Sequence, residues 1–236
     1  QISTVVAMTP LTHDIRLLRL HLDEPDSMDF TPGAYVQLQA PAYGKNPSPV
    51  YRAYSVAGDP RDQKHVDLIV RLVPKGICTT WVFEHLKVGD QVRLNGPHGD
   101  FRMSDTDAEM IFIAGGSGMA PFRSMLQDMV NAGSTRRCRY FFGAVTRKDM
   151  FYLDEMKAFE KQLADFRFIP ALSAPAEGDA WEGDKGLITE VVSRHYPDCS
   201  KAEAYLCGSP GMIDACVKVL TTNGMPQSNV HYDKFA

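Results

Sequence analysis

The sequence lacks the features typical of a membrane-spanning or a nucleic-acid-binding protein. No apolar run among the 236 residues approaches the roughly 18 needed for a transmembrane helix, so we expect no membrane segment in this chain. The net charge is -4 and no long Lys/Arg run occurs, so there is no basic field to attract a phosphate backbone. Nucleic acid is therefore not an expected partner.

The sequence also lacks a paired-cysteine motif. Its five cysteines are an odd number without any C-x-x-C pair, which predicts neither a zinc site nor a local run of iron–sulfur ligands. We expect no metal, and we expect most of the thiols to be buried in a reducing cytoplasm. The chain begins with glutamine rather than methionine, so membrane association through a removed tether remains an alternative to a purely cytoplasmic location.

The chain divides into two halves with different patterns, joined at about residues 103–108. Before the join, short alternating segments such as "DIRLLRLHL" and "HVDLIVRLV" are broken by glycine and proline turns, which is typical of an antiparallel barrel. After it, strand-like runs such as "EMIFIAG" and "CRYFFGAV" alternate with helical patterns, which predicts a parallel sheet. The sequence therefore predicts two domains, an antiparallel β-barrel over residues 1–104 and an α/β nucleotide-binding domain over residues 105–236.

A glycine-rich turn between a strand and a helix opens the second half. The run "EMIFIAGGSGMAPFRSML" places Gly116, Ser117 and Gly118 in this turn, with Pro121 in the first helical turn. Such a turn lets the backbone approach a phosphate while the helix N-terminus offers free N–H groups. A tight turn without a ligand remains the alternative, because Pro121 stands where the full dinucleotide fingerprint has a third glycine.

Two further positions in this half suggest a dinucleotide. Thr146 and Arg147 follow the next strand, where the fingerprint has an acidic residue for the ribose 2′-hydroxyl. Arg147 is consistent either with a ligand for a 2′-phosphate or with a solvated surface charge. Near the C-terminus "YLCGSPGMIDA" repeats the pattern, and Cys207 is expected at the carboxyl end of a strand, where open sheets bind ligands. A thiol packed beneath a loop is its alternative.

The stretch "VYRAYSVAGDP" in the first half combines an arginine and an aromatic ring on one predicted strand. Arg52 and Tyr54 share a face because side chains alternate, whereas Ser55 faces the other way unless the strand ends there. An aromatic ring can cover a flat heterocycle, and a guanidinium can bind a diphosphate. The single helix of this half begins near Gly76 and Thr79 and also suits an anion. Together they suggest a second dinucleotide; separately, each could be a core, surface or capping residue.

Four motifs in this order resemble the ferredoxin–NADP reductase superfamily over essentially the whole chain. They are Arg52-Ala53-Tyr54-Ser55, Gly76-Ile77-Cys78-Thr79, the run from Gly115 to Pro121 and the run from Cys207 to Met212. Within the superfamily, "RKDMFYLDEM" is similar to the flavin and NADH modules of the sodium-translocating NADH:quinone reductase. The segments "YLCGSPGMIDAC" and "HYDKF" are similar to reductase components of bacterial multicomponent monooxygenases.

In the first domain the resemblance implies an FAD site. Tyr54 would stack on the isoalloxazine, Ser55 would hydrogen-bond near flavin N5, and Arg52 would bind the pyrophosphate. The further expected FAD ligands are Ala53, Gly76, Cys78, Thr79 and Thr80, with Val70 and Leu72 on the adenosine side.

In the second domain the resemblance implies a site for a nicotinamide dinucleotide. Its phosphates would bind Gly116, Ser117 and Gly118, and its adenosine ribose would approach Thr146 and Arg147. Cys207 would lie beside nicotinamide C4, and Phe235 would cover the second flavin face until nicotinamide displaces it, with Asp233 near N5. Met119, Gly208, Pro210 and Met212 are expected at the same site. Ser55, Cys207 and Phe235 are thus expected nearest the reacting atoms.

The implied activity is hydride transfer from NADH to FAD, followed by release of single electrons to an iron–sulfur acceptor. That acceptor would be a separate protein or a domain absent from this chain. The subgroup resemblance favours NADH over NADPH in spite of Arg147. A free flavin or ferric reductase and a nucleotide-sensing subunit without turnover are the alternatives.

Overall fold

The structure, a computed structural model, describes residues 1–235, which form two compact units. The first unit contains Gln1–Arg102 and Ala120–Asp128, and the second contains Met103–Met119 and the residues from Met129 onward. The domain boundary expected after residue 104 stays a prediction.

The first unit is an antiparallel six-stranded sheet with one helix. Its elements are β1 Ile2–Pro10, β2 Ile15–Glu24, β3 Tyr35–Ala40, β4 Val50–Ser55, β5 His65–Arg71, α1 Ile77–Glu84 and β6 Gln91–His98. The strand order is β4-β3-β6-β1-β2-β5. The two end strands meet through a bridge between Val56 and Leu68 and a hydrogen bond from the Ala57 N–H to the Asp67 carbonyl at 2.8 Å. The sheet therefore closes on itself, and the expected antiparallel barrel is confirmed.

Alternation of side chains explains where the core of this unit lies. Leu18, Leu20 and Leu22 of β2 are fully buried, while the intervening residues are partly exposed. Trp81 and Val82 of α1 belong to the same core cluster. The helix covers the barrel interior with these side chains, and its N-terminus lies at the barrel surface, where Gly76 and Ile77 are partly exposed.

The second unit is a parallel six-stranded sheet with helices. Its elements are β7 Glu109–Gly115, the two ends of α2 Met119–Asn131, β8 Cys138–Ala144, α3 Leu153–Gln162, β9 Phe166–Leu172, β10 Asp184–Lys185, α4 Ile188–His195, β11 Ala202–Gly208, α5 Pro210–Thr222 and β12 Val230–Lys234. Residues Ala120–Asp128 of α2 are grouped with the first unit. The strand order is β10-β9-β8-β7-β11-β12. Strand β11, which lies between β7 and β12, is buried along its whole length, as expected for a parallel strand covered on both faces. The predicted α/β fold is confirmed.

The strand order fixes where this unit can bind a ligand. The chain runs outward from β7 through β8 and β9 on one side and continues with β11 and β12 on the other. The order therefore reverses between β7 and β11, and open sheets bind ligands at the carboxyl ends of the strands at such a point. Within residues 1–235, no helix has the length and apolar composition needed to cross a membrane.

Candidate functional site

Strand β4 carries the predicted flavin-binding motif. It is the first strand in the barrel order and is hydrogen-bonded to β3. Arg52 and Ala53 are exposed, Tyr54 is half-buried and Ser55 is 3% exposed. The Arg52 guanidinium donates to the Tyr51 carbonyl at 2.8 Å. The strand thus offers an accessible surface to a flat ring, with a positive charge beside it.

The Ser55 hydroxyl is a buried polar group that fits a ligand. Its oxygen is shielded from solvent and, like those of Ser3 and Ser124, has no hydrogen-bond partner within residues 1–235. Leaving a buried hydroxyl unpaired costs about 1 to 3 kcal/mol. Ser55 differs from the other two serines in following Tyr54 at the end of β4, where a heterocycle stacked on the ring can supply the missing partner. The residues present therefore fit a flavin.

Tyr54 and Cys78 form a neutral pair at this surface. Tyr54 packs against the barrel core, and burial together with the neighbouring Cys78 thiol raises the pKa of its phenol. Burial also raises the pKa of the Cys78 thiol, and this outweighs the lowering by the Tyr54 hydrogen bond and the Arg52 charge. Both groups stay protonated at neutral pH, so Tyr54 presents an uncharged ring.

The N-terminus of α1 offers backbone amides to an anion, but the Thr80 amide, which was expected among them, is used within the helix. Gly76 is the N-cap residue, and the Thr80 N–H donates to the Gly76 carbonyl at 2.9 Å. The amides open to an anion are therefore those of Ile77, Cys78 and Thr79. A Cβ at Gly76 would lie 2.6 Å from Thr79 Oγ1 and 3.1 Å from the Val73 carbonyl oxygen. This contact explains the glycine.

Thr79 secures the loop before the helix. Its hydroxyl accepts a hydrogen bond from the Val73 N–H at 3.2 Å and lies 3.3 Å from the Val73 carbonyl oxygen. The residue is 8% exposed. The alternative of a simple N-cap is wrong, because Gly76 occupies the cap position. Thr79 instead holds the loop that positions the first amides of α1.

Val70 and Leu72 lie at the end of β5 and just after it. The Val70 side chain is fully buried in the barrel core, and the Leu72 N–H donates to the Asp14 carbonyl at 2.7 Å. The amide of Leu72 is thus used within the barrel. Contact of the remaining backbone groups with adenosine stays a prediction.

The glycine turn of the second unit packs directly on β11. It is a 3-10 turn over Gly116–Gly118, and Gly116 has a φ of 55°. A Cβ at Gly118 would lie 2.2 Å from the carbonyl oxygen of Cys207, so no side chain fits there. Helix α2 begins directly after the turn. The turn has the backbone geometry of a phosphate-binding loop at a helix N-terminus.

Met119 holds this turn from the inside. Its side chain is fully buried, and its sulfur accepts a hydrogen bond from the Tyr140 hydroxyl at 3.3 Å. Its N–H donates to the carbonyls of Gly116 and Ser117. Met119 therefore packs in the core and positions the turn.

Cys207 lies one residue before the end of β11, at the switch point. It pairs with Ala114 of β7 on one side and with Asp233 of β12 on the other. The side chain is fully buried. Burial, followed by the charge of Asp233, raises the pKa of the thiol well above its ordinary value. The thiol is therefore protonated at neutral pH.

The segment after Cys207 forms a second turn followed by a helix. The Gly208 carbonyl accepts a hydrogen bond from the Phe235 N–H at 2.9 Å. Ser209 caps α5, its hydroxyl accepting from the Met212 N–H at 3.4 Å, and Pro210 is the first helical residue. The structure thus brings Phe235 to the carboxyl end of β11, where it is half-buried. Its contact with a flavin stays a prediction.

The turn after β8 is closed by acidic residues. The Thr146 N–H and hydroxyl both donate to Asp149 Oδ2, at 2.8 and 2.9 Å. Arg147 is exposed and donates to Asp179 Oδ1 at 2.9 Å. Asp179 lies 32 residues further along the chain, in a loop without periodic pattern. No signal in the sequence could have paired it with Arg147.

Family comparisons match both units. Residues 3–103 match the model described as "Oxidoreductase FAD-binding domain". Residues 112–218 match the model described as "Oxidoreductase NAD-binding domain". These matches define an oxidoreductase with one FAD-binding and one NAD-binding domain.

Three similar proteins have names that describe them as reductases or as parts of reductases. The reductase component of propane 2-monooxygenase from Mycolicibacterium goodii is 39% identical over 235 residues, which cover 98% of this chain and 66% of that protein. A subunit of the Na(+)-translocating NADH-quinone reductase from Pseudomonas paraeruginosa is 34% identical over 260 aligned residues, with 94% and 64% covered. The crystal structure of an Amycolatopsis cytochrome P450 reductase has a TM-score of 0.89 at 28% identity, covering 100% of this chain and 70% of that one.

The chain belongs to the ferredoxin–NADP reductase family of FAD- and NAD-binding oxidoreductases. The resemblance expected from the four sequence motifs is confirmed, including both subgroups. The chain spans 66% and 64% of the length of the two relatives named above.

Proposed function

We propose that this chain is a flavin-dependent NADH oxidoreductase that passes single electrons to an iron–sulfur acceptor. The observation that carries the proposal is the buried Ser55 hydroxyl, which lacks a partner within residues 1–235 and follows Tyr54 in a domain of FAD-binding type. FAD would supply the chemistry, since its N5 accepts a hydride and it can release electrons one at a time.

In this proposal the first unit holds and tunes the flavin. Tyr54 gives a neutral ring for stacking, and the Ser55 hydroxyl forms the hydrogen bond near N5 that satisfies it. Arg52 turns from the Tyr51 carbonyl, its present partner, to the pyrophosphate. The amides of Cys78 and Thr79 at the start of α1 share that charge.

The second unit positions the coenzyme. Gly116, Ser117 and Gly118 bind its phosphates through their backbone, and the missing Cβ of Gly118 lets the turn lie directly against β11. Cys207 packs beside the nicotinamide as a neutral thiol, so it positions the ring and transfers no proton. Phe235 is anchored through its N–H to Gly208 at the carboxyl end of β11, beside the proposed coenzyme site of this unit.

The acceptor is proposed from the multicomponent enzyme to which a similar chain belongs. A reductase component of a monooxygenase is 39% identical to this chain, and such a component hands electrons to another protein component. A carrier that takes one electron at a time, such as an iron–sulfur protein, matches what a two-electron flavin can deliver. The cytoplasmic location expected from the sequence stays a prediction.

The test is an anaerobic reduction of the FAD-loaded chain. NADH should bleach its yellow colour, and the reduced chain should then reduce an iron–sulfur ferredoxin faster than it reduces free flavin. A coloured protein that NADH does not bleach would indicate a nucleotide-sensing role instead. Rapid turnover with free flavin or ferric iron, without electron transfer to a ferredoxin, would indicate a small-molecule reductase. Failure to bind FAD would overturn the proposal altogether.

A further inference from the structure

The hydrogen-bond donors of Thr146, in the turn that follows β8, are bonded to an acceptor within the same turn. The Asp149 carboxylate accepts hydrogen bonds from both the N–H and the hydroxyl of Thr146. Both donors at the carboxyl end of β8 are therefore already hydrogen-bonded. In dinucleotide-binding sheets this end of the second strand faces the adenosine ribose. The chain therefore presents an anionic carboxylate where a phosphate-binding turn would present free donors.

Arg147 is the cation of this turn that the sequence pattern suggests for a 2′-phosphate, and it already forms an ion pair. Its guanidinium donates to Asp179 at 2.9 Å. The Arg147 side chain is 57% exposed, whereas that of Asp179 is only 13% exposed. The carboxylate is the fixed partner, and the arginine is the partner that can move.

Contacts within the loop hold Asp179 in place. The Asp179 N–H donates to the Ala176 carbonyl at 3.0 Å. Two residues later the Trp181 indole N–H donates to the Asp184 carbonyl at 2.9 Å, and Arg147 lies 6.0 Å from the Trp181 ring centre. The loop therefore places both an acid and an aromatic ring beside one guanidinium.

We propose that Asp179 is the specificity-determining residue that makes this coenzyme site select NADH over NADPH, through its ion pair with Arg147. The proposal rests on the proposed function. It extends that function, because it names the group that rejects the 2′-phosphate.

The physical reason is the cost of removing Arg147 from Asp179. A 2′-phosphate carries about -1.5 to -2 charges at neutral pH, so it needs a free cation. If Arg147 turned to the phosphate, the largely buried carboxylate of Asp179 would lose its partner and face a second anion. The neutral ribose 2′-hydroxyl of NADH creates no such conflict. Lys148 is a second exposed cation of the same turn. Because it is present in every variant compared below, it cannot account for a difference between them.

The experiment compares Asp179→Asn with the wild-type FAD-loaded chain, using ferricyanide as the electron acceptor. The ratio of kcat/KM for NADPH to that for NADH should rise about tenfold in the variant, because Arg147 is released to pair with the 2′-phosphate. Binding of 2′,5′-ADP, measured by calorimetry against 5′-ADP, should tighten by a similar factor. This second measurement requires no turnover. Asp179→Ser serves in both measurements if the asparagine variant does not fold.

Two controls make the result specific. Glu177→Gln removes the same charge from an exposed position of the same loop and should leave both ratios unchanged. Arg147→Ala combined with Asp179→Asn should abolish the gain, because the released guanidinium is its source. An unchanged preference in Asp179→Asn, an equal change in Glu177→Gln, or a gain that survives loss of Arg147 would overturn the inference. Absence of flavin reduction with both coenzymes would overturn the proposed function, while the binding ratio would still decide the role of Asp179.

Discussion

Neutralising Glu203 should strongly destabilise the second unit. Glu203 lies near the start of β11 with its side chain 8% exposed. Its carboxylate accepts hydrogen bonds from Ser104 Oγ at 2.5 Å, Thr106 Oγ1 at 2.6 Å, the Tyr205 hydroxyl at 2.8 Å and the Arg136 guanidinium at 3.1 Å. Glu203→Gln removes the charge that these four donors surround.

The size of the effect follows from the pKa of Glu203. Burial alone would raise this pKa, but the hydrogen bonds from Ser104, Thr106 and Tyr205 and the Arg136 charge lower it from 4.5 to about 2. One pKa unit is worth about 1.36 kcal/mol, so the ionised side chain contributes about 3 kcal/mol to folding. Because the folded-state pKa is the lower one, this contribution is complete above pH 4.5 and falls as the pH drops toward 2. At about pH 3.5, about 1.4 kcal/mol of it is lost.

The assay is urea unfolding of wild type, Glu203→Gln and the exposed control Glu177→Gln between neutral and acid pH. The difference between wild type and Glu203→Gln should be about 2 to 4 kcal/mol at neutral pH and should shrink below pH 4.5. The control should track wild type. A Glu203→Gln difference below about 1 kcal/mol at neutral pH, or one that is constant down to about pH 3.5, would refute the reasoning.

Three further substitutions test the two sites. Gly118→Ala forces a Cβ to within 2.2 Å of the Cys207 carbonyl oxygen; it should cost about 1 to 3 kcal/mol in urea unfolding and raise KM for NADH. Gly211→Ala, where no atom lies within 4 Å, should not carry this stability cost, and an equal loss of stability in the two variants would contradict the close approach. Ser55→Ala should not destabilise the FAD-free fold, because it removes an unpaired buried hydroxyl, yet it should slow flavin reduction once FAD is bound; an unchanged rate would remove Ser55 from the site. Cys207→Ala should retain FAD and slow reduction by NADH in rapid-mixing absorbance, and an unaltered rate would reject its positioning role.

The two folds are predictable because local patterns repeat along the chain. The alternation of Leu18, Leu20 and Leu22 specifies one buried sheet face, and the unbroken apolar run of β7 specifies a strand covered on both sides. Each signal is contained within about ten residues. The closure of the barrel through Val56 and Leu68 is different, because a single bridge between distant residues leaves no periodic trace.

The candidate site is predictable where a position requires glycine or an aromatic ring. It is less predictable where a hydrogen bond between distant residues fixes the position of a side chain. The turn pattern identifies Gly118, and its close approach to β11 gives the physical reason. The sequence pattern places Met119 at the dinucleotide; its side chain is buried against Tyr140, and contact through its backbone stays a prediction. The Arg147–Asp179 ion pair escapes sequence reasoning, because it joins residues 32 positions apart through a loop conformation that no local pattern encodes.

The rate of flavin reduction should not depend on an ionising protein group at either site near neutral pH. Burial and Asp233 raise the pKa of Cys207, and burial with Cys78 raises that of Tyr54. Acids with raised pKa values remain protonated as the pH rises, so neither group ionises between about pH 6 and 9. Hydride transfer requires positioning rather than a proton donor. The anaerobic reduction rate at saturating NADH should therefore be flat over that range, and a titration step that Cys207→Ala abolishes would show that the thiol takes part as an acid or a nucleophile.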